Sequence, residues 1–471
     1  MKKKIFIIAL SIMAQSHIIA QHRSITWEKF NNTGLELKQI GQLATRSSKD
    51  ISSSPWSVGC ETLDRDYGKF ANYKEYVGEL GVKSARLQSG WAKCEQQKGK
   101  YTFEWLDECV YGLNEQGVKP WICLCYGNPI YGAEKELGAK LFTDEATMSA
   151  WLRYVEATVK RYSNVVNEWE IWNEPNLRSN TPESYASLLI KTADKIKEVQ
   201  PDAVIIGFSL SGVTSGPFTQ GIFEALKANN KTDIVDYLTY HPYLHNPDDA
   251  NPEIAKLQAM AQSYHPGIKL FQGETGCPSI LEWGHALPYY EWTEYSQVKW
   301  DLRQMINHWA QGIRYNVFTL IDLQYPNMLQ SFGLLRTNLL KEVVYKRPSY
   351  YAVQHVVNVL DGSVSSTGFL EYTANTFRKI TVTGIKNENV FGVLLWYSDR
   401  IPSDNLNRDL VDITIKGIIF RDPVYVDMIT GKVYEIPRYT RRATGNDTRF
   451  QDLPLWDSPV MIAERSQVKM K

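Results

Sequence analysis

Two glutamates, Glu174 and Glu274, stand at the ends of apolar runs that read as buried β-strands. A carboxylic acid can protonate a leaving oxygen, whereas a carboxylate can attack an electrophilic carbon or activate a water molecule. Cleavage of a sugar acetal requires such a pair, and enzymes that retain the anomeric configuration hold the two carboxyl groups roughly 5 to 5.5 Å apart. Either glutamate on its own could instead mark the start of a helix, because an acidic residue is stabilised there by the helix dipole.

The surrounding elements decide whether the two glutamates can meet. Residues 51–362 alternate short apolar runs with amphipathic helical stretches, which predicts an α/β fold, a (β/α)8 TIM barrel. Side chains at the carboxyl ends of barrel strands share one face, and the fourth and seventh strands, which end at the glutamates, lie across the barrel from each other. The predicted strands are Trp56–Cys60, Ser84–Gln88, Pro120–Cys125, Glu168–Asn173, Val204–Phe208, Tyr237–His241, Lys269–Gly273 and Asn316–Ile321.

The pattern changes after Gly362. Apolar residues now alternate with period two in several short runs, which predicts a β-sandwich over residues 363–471. The segment 21–50 could lend this sandwich a strand. The chain is therefore expected to hold a catalytic-type barrel followed by a smaller all-β domain.

The first twenty residues have the pattern of a signal peptide. Three lysines at positions 2–4 precede the apolar run Ile5–Met13, and a cut is expected after Ala20. The alternative is a membrane anchor, but the run is shorter than the roughly 20 residues that a span requires. We expect no membrane span and a periplasmic or extracellular protein.

The amino-acid composition limits the kinds of binding partner that can be expected. Basic and acidic residues number 52 each, so the net charge is zero and no basic surface for nucleic acid is expected. The 14 Trp and 27 Tyr suit a cleft that binds sugar rings, which have apolar faces and polar edges. The six cysteines follow no metal-ligand spacing, and no nucleotide motif is evident, so we expect neither metal nor cofactor. We expect these cysteines to be mostly buried thiols, with at most one bridge, and the sequence does not indicate an oligomeric state.

Several motifs resemble clan A retaining glycoside hydrolases, in particular the β-xylosidase and α-L-iduronidase family and its uncharacterised relatives. Trp172-Asn173-Glu174-Pro175-Asn176 is similar to the acid/base motif, and Leu270-Phe271-Gln272-Gly273-Glu274 to the nucleophile strand. The likeness covers most of the chain after the signal peptide. The further matching segments are residues 81–86, 105–108, 117–121, 241–243, 453–455 and 458–460. The resemblance implies a double displacement with Glu174 as acid/base and Glu274 as nucleophile.

The resemblance also implies roles for neighbouring residues. Asn173 is expected to bind the sugar 2-hydroxyl, and because Asn173 and Glu174 must face the same way, a bulge or strand end is expected there. Arg86 is expected to support the nucleophile and lower its pKa, although it could instead be an ordinary partner of Glu170. Either Tyr243 or His241 should donate to Glu274, while His241 could also be a plain core residue.

Other side chains near the strand ends are candidate sugar contacts. They are Glu61, Gln88, Trp91, Tyr126, Asn128 and Trp283. Clan A members often place a Trp under the sugar at the end of the eighth strand. This sequence has the run Phe318–Leu323 there instead, so Tyr325 or a loop Trp could take that place.

We therefore expect a secreted retaining glycosidase that acts on oligosaccharides or polysaccharides. Exo action is favoured because the resembling family mostly removes terminal sugars. Two alternatives stay open: an endo-acting glycanase with the same glutamates, and a non-catalytic carbohydrate-binding protein on a degenerate barrel.

Overall fold

Eight parallel strands, rich in apolar residues and buried on both faces, close into a barrel in the order of the chain. A computed structural model describes residues 28–214 and 216–471, so the predicted signal peptide lies outside the described residues. The barrel strands are β2 (Trp56–Gly59), β3 (Ser84–Gln88), β4 (Lys119–Leu124), β5 (Glu168–Ile171), β6 (Val204–Ser211), β7 (Tyr237–His241), β8 (Lys269–Thr275) and β9 (Arg314–Val317). The ring is closed by parallel pairing of β2 with β9.

The predicted eighth strand was misplaced. The sequence suggested Asn316–Ile321, but β9 ends at Val317 and the following apolar residues leave the barrel wall. Ile321 instead forms a bridge with Leu335, next to two small hairpins. The apolar run was misread because these residues are buried under the hairpins, and burial alone does not distinguish a strand from a packed loop. The hairpin strands are β10 (Leu323–Tyr325), β11 (Met328–Gln330), β12 (Leu335–Thr337) and β13 (Val343–Lys346).

Helices on the outside of the barrel cover the strands. Their apolar sides are buried, and two of the longest helices begin with reciprocal capping boxes at Thr181 and Thr293. The helices are α1 (Lys74–Leu80), α2 (Trp91–Cys94), α3 (Glu104–Glu115), α4 (Glu145–Tyr162), α5 (Pro182–Val199), α6 (Pro217–Ala228), α7 (Asn251–Tyr264), α8 (Glu294–Ala310) and α9 (Pro348–Val359). In the part of the chain that the structure describes, no helix combines the length and the apolar character needed to cross a membrane.

The C-terminal region forms two antiparallel sheets, so the barrel with a β-sandwich predicted from the sequence is confirmed. The seven-stranded sheet includes β1 (Gln39–Gln42), a strand from the N-terminal segment that pairs with β20. Its other strands are β14 (Ser365–Phe369), β16 (Ile380–Lys386), β17 (Val390–Tyr397), β19 (Pro423–Asp427), β20 (Lys432–Glu435) and β23 (Val460–Glu464). The four-stranded sheet contains β15 (Tyr372–Ala374), β18 (Asp409–Ile415), β21 (Arg441–Thr444) and β22 (Asp447–Leu455).

Helix α8 joins the barrel to the sandwich. The buried Lys299 ammonium donates to the carbonyls of Ser403 and Asn405 and to the carboxylate of Asp457, at 2.6 to 2.8 Å. One turn further, Arg303 binds Asp248, which also accepts from the indole of Trp396 on β17. These contacts fix the loop after β7, which carries part of the candidate site.

All six cysteines are buried free thiols. No disulfide joins them, so the single bridge that the sequence left open does not form. They behave as small apolar residues in the core.

Candidate active site

The two glutamates meet at the carboxyl end of the barrel. Glu274 lies near the end of β8, and Glu174 follows β5 by three residues. The strand β5 ends at Ile171, and both Trp172 (φ 69°) and Glu174 (φ 50°) adopt the left-handed region. This turn allows the neighbouring Asn173 and Glu174 both to contact site residues, so the expected strand end is present.

The spacing of the carboxyl groups fits covalent sugar chemistry. One carboxylate oxygen of Glu174, one of Glu274 and a ring nitrogen of His241 all lie within 4.8 Å of one another. Retaining glycosidases hold their carboxyl groups roughly 5 to 5.5 Å apart, whereas inverting ones leave room for a water molecule between them. The observed distance leaves no such room and favours direct attack by one carboxylate.

A buried arginine organises the base of the site. Arg86, on β3, is fully buried and donates from Nη1 to Glu274 Oε2 at 2.7 Å and from Nη2 to Glu170 Oε2 at 2.6 Å. Its Nη2 also donates to Asn173 Oδ1 at 2.8 Å. The two alternatives for Arg86 are therefore both realised, since it pairs with Glu170 and with Glu274. One cation thus positions both the expected nucleophile and the residue expected to bind the 2-hydroxyl.

Glu274 is held as a carboxylate. Burial by itself raises its pKa, but the charges of His241 and Arg86 and the hydrogen bond from Tyr243 outweigh burial, so the pKa of Glu274 is lowered. Tyr243 donates its hydroxyl to Glu274 Oε1 at 2.9 Å. The carboxylate is consequently charged and oriented by donors on both oxygens, as a nucleophile requires.

His241 contacts the other glutamate. The sequence left open whether Tyr243 or His241 donates to Glu274, and the structure assigns this bond to Tyr243. His241 Nδ1 lies 2.9 Å from Glu174 Oε1 but 4.0 Å from Glu274 Oε2. Burial lowers the pKa of His241, but the two nearby carboxylates more than offset burial, so the pKa is raised. The charged form of His241 is therefore favoured beside the two glutamates.

Four predicted sugar contacts lie within or beneath the site wall. Trp91 is fully buried, with its ring stacked on Tyr131 and Tyr154, and Asn128 caps the turn 129–131 and donates to the Glu95 carbonyl. Helix α2 packs the Trp91 ring into the core although the residue lines a cavity beside the site, and local backbone groups use the Asn128 amide. The other two are Glu61 and Gln88.

Glu61 lies under the site as a buried carboxyl. Its Oε1 is 3.4 Å from both Arg86 Nη1 and Asn316 Nδ2, and its Oε2 has no hydrogen-bond partner among the described residues. Burial, opposed by Arg86 and reinforced by Glu274, raises the pKa of Glu61 to about 7. Its side chain is only 1% exposed, so Glu61 does not face the cleft. The expectation of a direct sugar contact is corrected for this residue.

Residues missed by the sequence reasoning form the wall beside β2. Arg65 donates to Gln88 and lies 5.4 Å from the ring centroids of both Tyr67 and Tyr126. Tyr126 in turn accepts from Asn173 Nδ2 at 2.9 Å. The signal that could have indicated Arg65 and Tyr67 is their position in the loop after the first barrel strand, on the face where barrel sites lie.

Aromatic residues form the rim. The Tyr325 ring, on β10, lies 4.5 Å from Tyr67 and 4.6 Å from His285. Burial raises the pKa of Tyr325. Trp283 is 72% exposed in the loop after β8 and contacts Tyr289 edge-on. Tyr325 is accordingly the better placed substitute for the missing Trp.

The cluster of Glu174, His241 and Glu274 is poorly suited to binding a metal ion. Glu174, His241 and Glu274 could each offer one ligand atom. However, Glu274 Oε2 already accepts from the Arg86 guanidinium at 2.7 Å, and a fixed positive charge at that distance repels a divalent cation. The donor set suits a pair of glutamates acting without a metal.

The chain forms a closed (β/α)8 barrel in which oxygens of two glutamates lie within 4.8 Å of each other, and an arginine binds one of them. This arrangement is typical of barrel proteins that act on sugars. Residues 81–370 match the profile of Glycosyl hydrolases family 39, and the chain belongs to this family. The family resemblance drawn from the sequence is thus confirmed.

Solved structures share the fold. A family 39 glycoside hydrolase from the gut symbiont Bacteroides cellulosilyticus WH2 superposes with a TM-score of 0.66 at 19% identity, over 88% of this chain and 81% of that one. A monomeric β-xylosidase from Caulobacter crescentus CB15 gives a TM-score of 0.58 at 15% identity, over 91% and 98%.

Among curated proteins, a mannan endo-1,4-β-mannosidase A from Emericella nidulans is 30% identical over 159 residues. That stretch is 31% of this chain, and it spans only 40% of the length of the relative.

Proposed function

We propose that this protein is a retaining glycoside hydrolase that cleaves O-glycosidic bonds of oligosaccharides or polysaccharides. The observation that carries the proposal is the pair of glutamates with oxygens within 4.8 Å, Glu274 held by Arg86 and Tyr243 and Glu174 by His241. Family membership supports the same reaction class.

In the first step, the Glu274 carboxylate attacks the anomeric carbon while the bond to the leaving oxygen breaks. Glu174 gives its proton to that oxygen, so the leaving sugar departs as a neutral alcohol. The lowered pKa of Glu274 supports the nucleophilic role. The contact of Glu174 Oε1 with His241 Nδ1 at 2.9 Å, which holds the carboxyl group in place, supports the acid role.

In the second step, water enters the position of the departed sugar. Glu174, now a carboxylate, removes a proton from the water, whose oxygen attacks the anomeric carbon and releases Glu274. Asn173 is oriented by Arg86 and Tyr126 to hold the 2-hydroxyl in both steps. Two inversions give a product with the configuration of the substrate.

We propose further that the protein is exported, in the periplasm or outside the cell, after cleavage behind Ala20. The support is the sequence of residues 1–20, with its charged start and short apolar run. N-terminal sequencing of protein from the periplasm and the medium tests this, and a chain that still begins at Met1 in the cytoplasm would contradict it.

The mode of attack has two candidates. The resemblance to β-xylosidases favours removal of terminal sugars. Endo action is favoured by a cavity on the loops after β2 to β4, whose lining residue Tyr126 contacts Asn173. It is also favoured by the likeness of part of the chain to a mannan endo-1,4-β-mannosidase.

A panel of aryl xylosides, galactosides, glucosides, mannosides and arabinosides, together with xylan and mannan, tests the proposal. The wild type should release sugar from at least one substrate, and product size separates terminal from internal cleavage. Glu274→Ala should be inactive on all of them. Equal activity of this variant would refute the assignment, and binding without cleavage by the wild type would favour the non-catalytic alternative.

A further inference from the structure

A cavity of about 510 Å³, within the size range of small-molecule sites, is linked through Tyr126 to Asn173, the neighbour of Glu174. Residues from the loops after β2, β3 and β4 line it, among them Arg65, Tyr67, Lys93, Gln96, Tyr126 and Glu136. We propose that this cavity is a subsite for a second, neutral sugar unit, on the side of the cleaved bond opposite to the leaving group. The inference rests on the proposed glycosidase function and specifies its substrate.

The lining has the chemistry of a sugar site. Tyr67 offers a half-buried ring, and Arg65, 5.4 Å from the rings of Tyr67 and Tyr126, fixes their positions. A sugar packs its apolar face on such a ring while its hydroxyls need donors and acceptors, which Gln96 and Lys93 supply at the edge.

The charges of the lining indicate which sugar fits. Three acidic and three basic residues line the cavity: Asp64, Asp66, Glu136, Arg65, Lys93 and Lys135. Four of them are already paired, because Lys93 binds Asp66 at 2.7 Å and Arg65 lies 3.4 Å from Asp64. Because the charges balance, the cavity favours a neutral hexose or pentose over a uronic acid.

The cavity is connected to the reaction centre by direct contacts. Tyr126, which lines the cavity, accepts a hydrogen bond from Asn173, the residue next to the acid/base. Tyr67 also contacts Tyr325 on β10, with ring centroids 4.5 Å apart. A sugar in the cavity would therefore adjoin the sugar whose 2-hydroxyl Asn173 holds.

The position of the acid fixes the direction of the chain. Glu174 bonds to Ser209 on β6 through its backbone and to His241 on β7 through its side chain, so the leaving sugar lies toward those strands. The cavity lies toward β2, β3 and β4. It consequently takes the unit that precedes the cleaved residue, and the product carries at least two sugars.

The test compares 4-nitrophenyl glycosides of a monosaccharide with those of its β-linked disaccharide, for xylose, mannose, glucose and galactose. For the sugar that the wild type accepts, kcat/KM should be about tenfold or more higher with the disaccharide, as expected for one further stacked ring. Tyr67→Ala should remove most of this preference, and Gln96→Ala, at an exposed position, should weaken it. Tyr439→Ala, with the same change at an 83% exposed site of the sandwich, should keep it.

Equal kcat/KM for mono- and disaccharide glycosides in the wild type would overturn the subsite while leaving the glycosidase assignment intact. Equal losses on both substrates in Tyr67→Ala, with no effect of Gln96→Ala, would also overturn it. If the wild type cleaves none of the glycosides or polysaccharides, the proposed function itself is refuted.

Discussion

Removal of a single hydroxyl from the nucleophile's environment gives a sharp test of the site. Tyr243 donates to Glu274 Oε1 at 2.9 Å, while its ring meets Phe318 and Phe332 edge-on. Tyr243→Phe keeps the ring and loses only the hydrogen bond. Hydrogen bonds to charged groups contribute about 1.5–3 kcal/mol, which corresponds to a loss of roughly 10- to 150-fold in kcat/KM if the bond acts mainly in the transition state.

The pH profile provides a second readout of the same variant. The tyrosine hydrogen bond lowers the pKa of Glu274, so its loss should raise this pKa and move the acid limb of kcat/KM to higher pH. Tyr240→Phe is the matched control, because the Tyr240 hydroxyl, on the strand that precedes Tyr243, is buried without a partner among the described residues. An unchanged rate and acid limb in Tyr243→Phe would refute the role of this bond.

Three further variants test other parts of the account. Glu174→Ala should reduce turnover of substrates with poor leaving groups far more than that of activated aryl glycosides, because only the former need an acid; equal losses would count against Glu174 as the proton donor. Glu61→Gln should alter the pH dependence of stability. The pKa of Glu61 is raised from 4.5 to about 7 in the folded protein, so its stabilising contribution is complete below pH 4.5 and is lost as pH rises through about 7. This difference in pKa corresponds to roughly 3 kcal/mol of the free energy of unfolding. Urea titrations between pH 4.5 and 7 should show this loss in the wild type but not in Glu61→Gln, whose side chain does not titrate. Lys299→Ala should lower the free energy of unfolding by roughly 3 to 5 kcal/mol, because it leaves the Asp457 carboxylate without its cation at the domain interface. Lys256→Ala, which removes one member of an exposed ion pair, should change the free energy of unfolding by less than about 1 kcal/mol.

The framework of the site could be predicted because strong local patterns determine it. Seven of the barrel strands follow apolar runs that are buried on both faces, and the two glutamates stand at strand ends, where barrel topology brings side chains together. The eighth strand was shifted because the apolar residues from Phe318 to Leu323 are buried beneath hairpins instead of in the barrel wall.

Side-chain direction was the part that the sequence could not give. Trp91 and Asn128 both follow strand ends. A short helix directs the Trp91 ring into the core. The Asn128 side chain caps the turn that follows it. Arg65 and Tyr67 lie in a loop whose left-handed residues Thr62 and Asp66 are not signalled by their types. The partner of His241 likewise depended on a strand end at Ile171, where the chain turns Glu174 toward β7.

The stereochemical course of the reaction distinguishes a covalent intermediate on Glu274 from direct attack by water. Proton NMR of the first product formed by the wild type should show the anomer of the substrate, because two carboxyl groups with oxygens within 4.8 Å favour a covalent intermediate on Glu274. Glu274→Ala should be inactive, and added azide should restore turnover with the inverted glycosyl azide as product. An inverted product from the wild type, or normal activity of the variant without azide, would contradict the account.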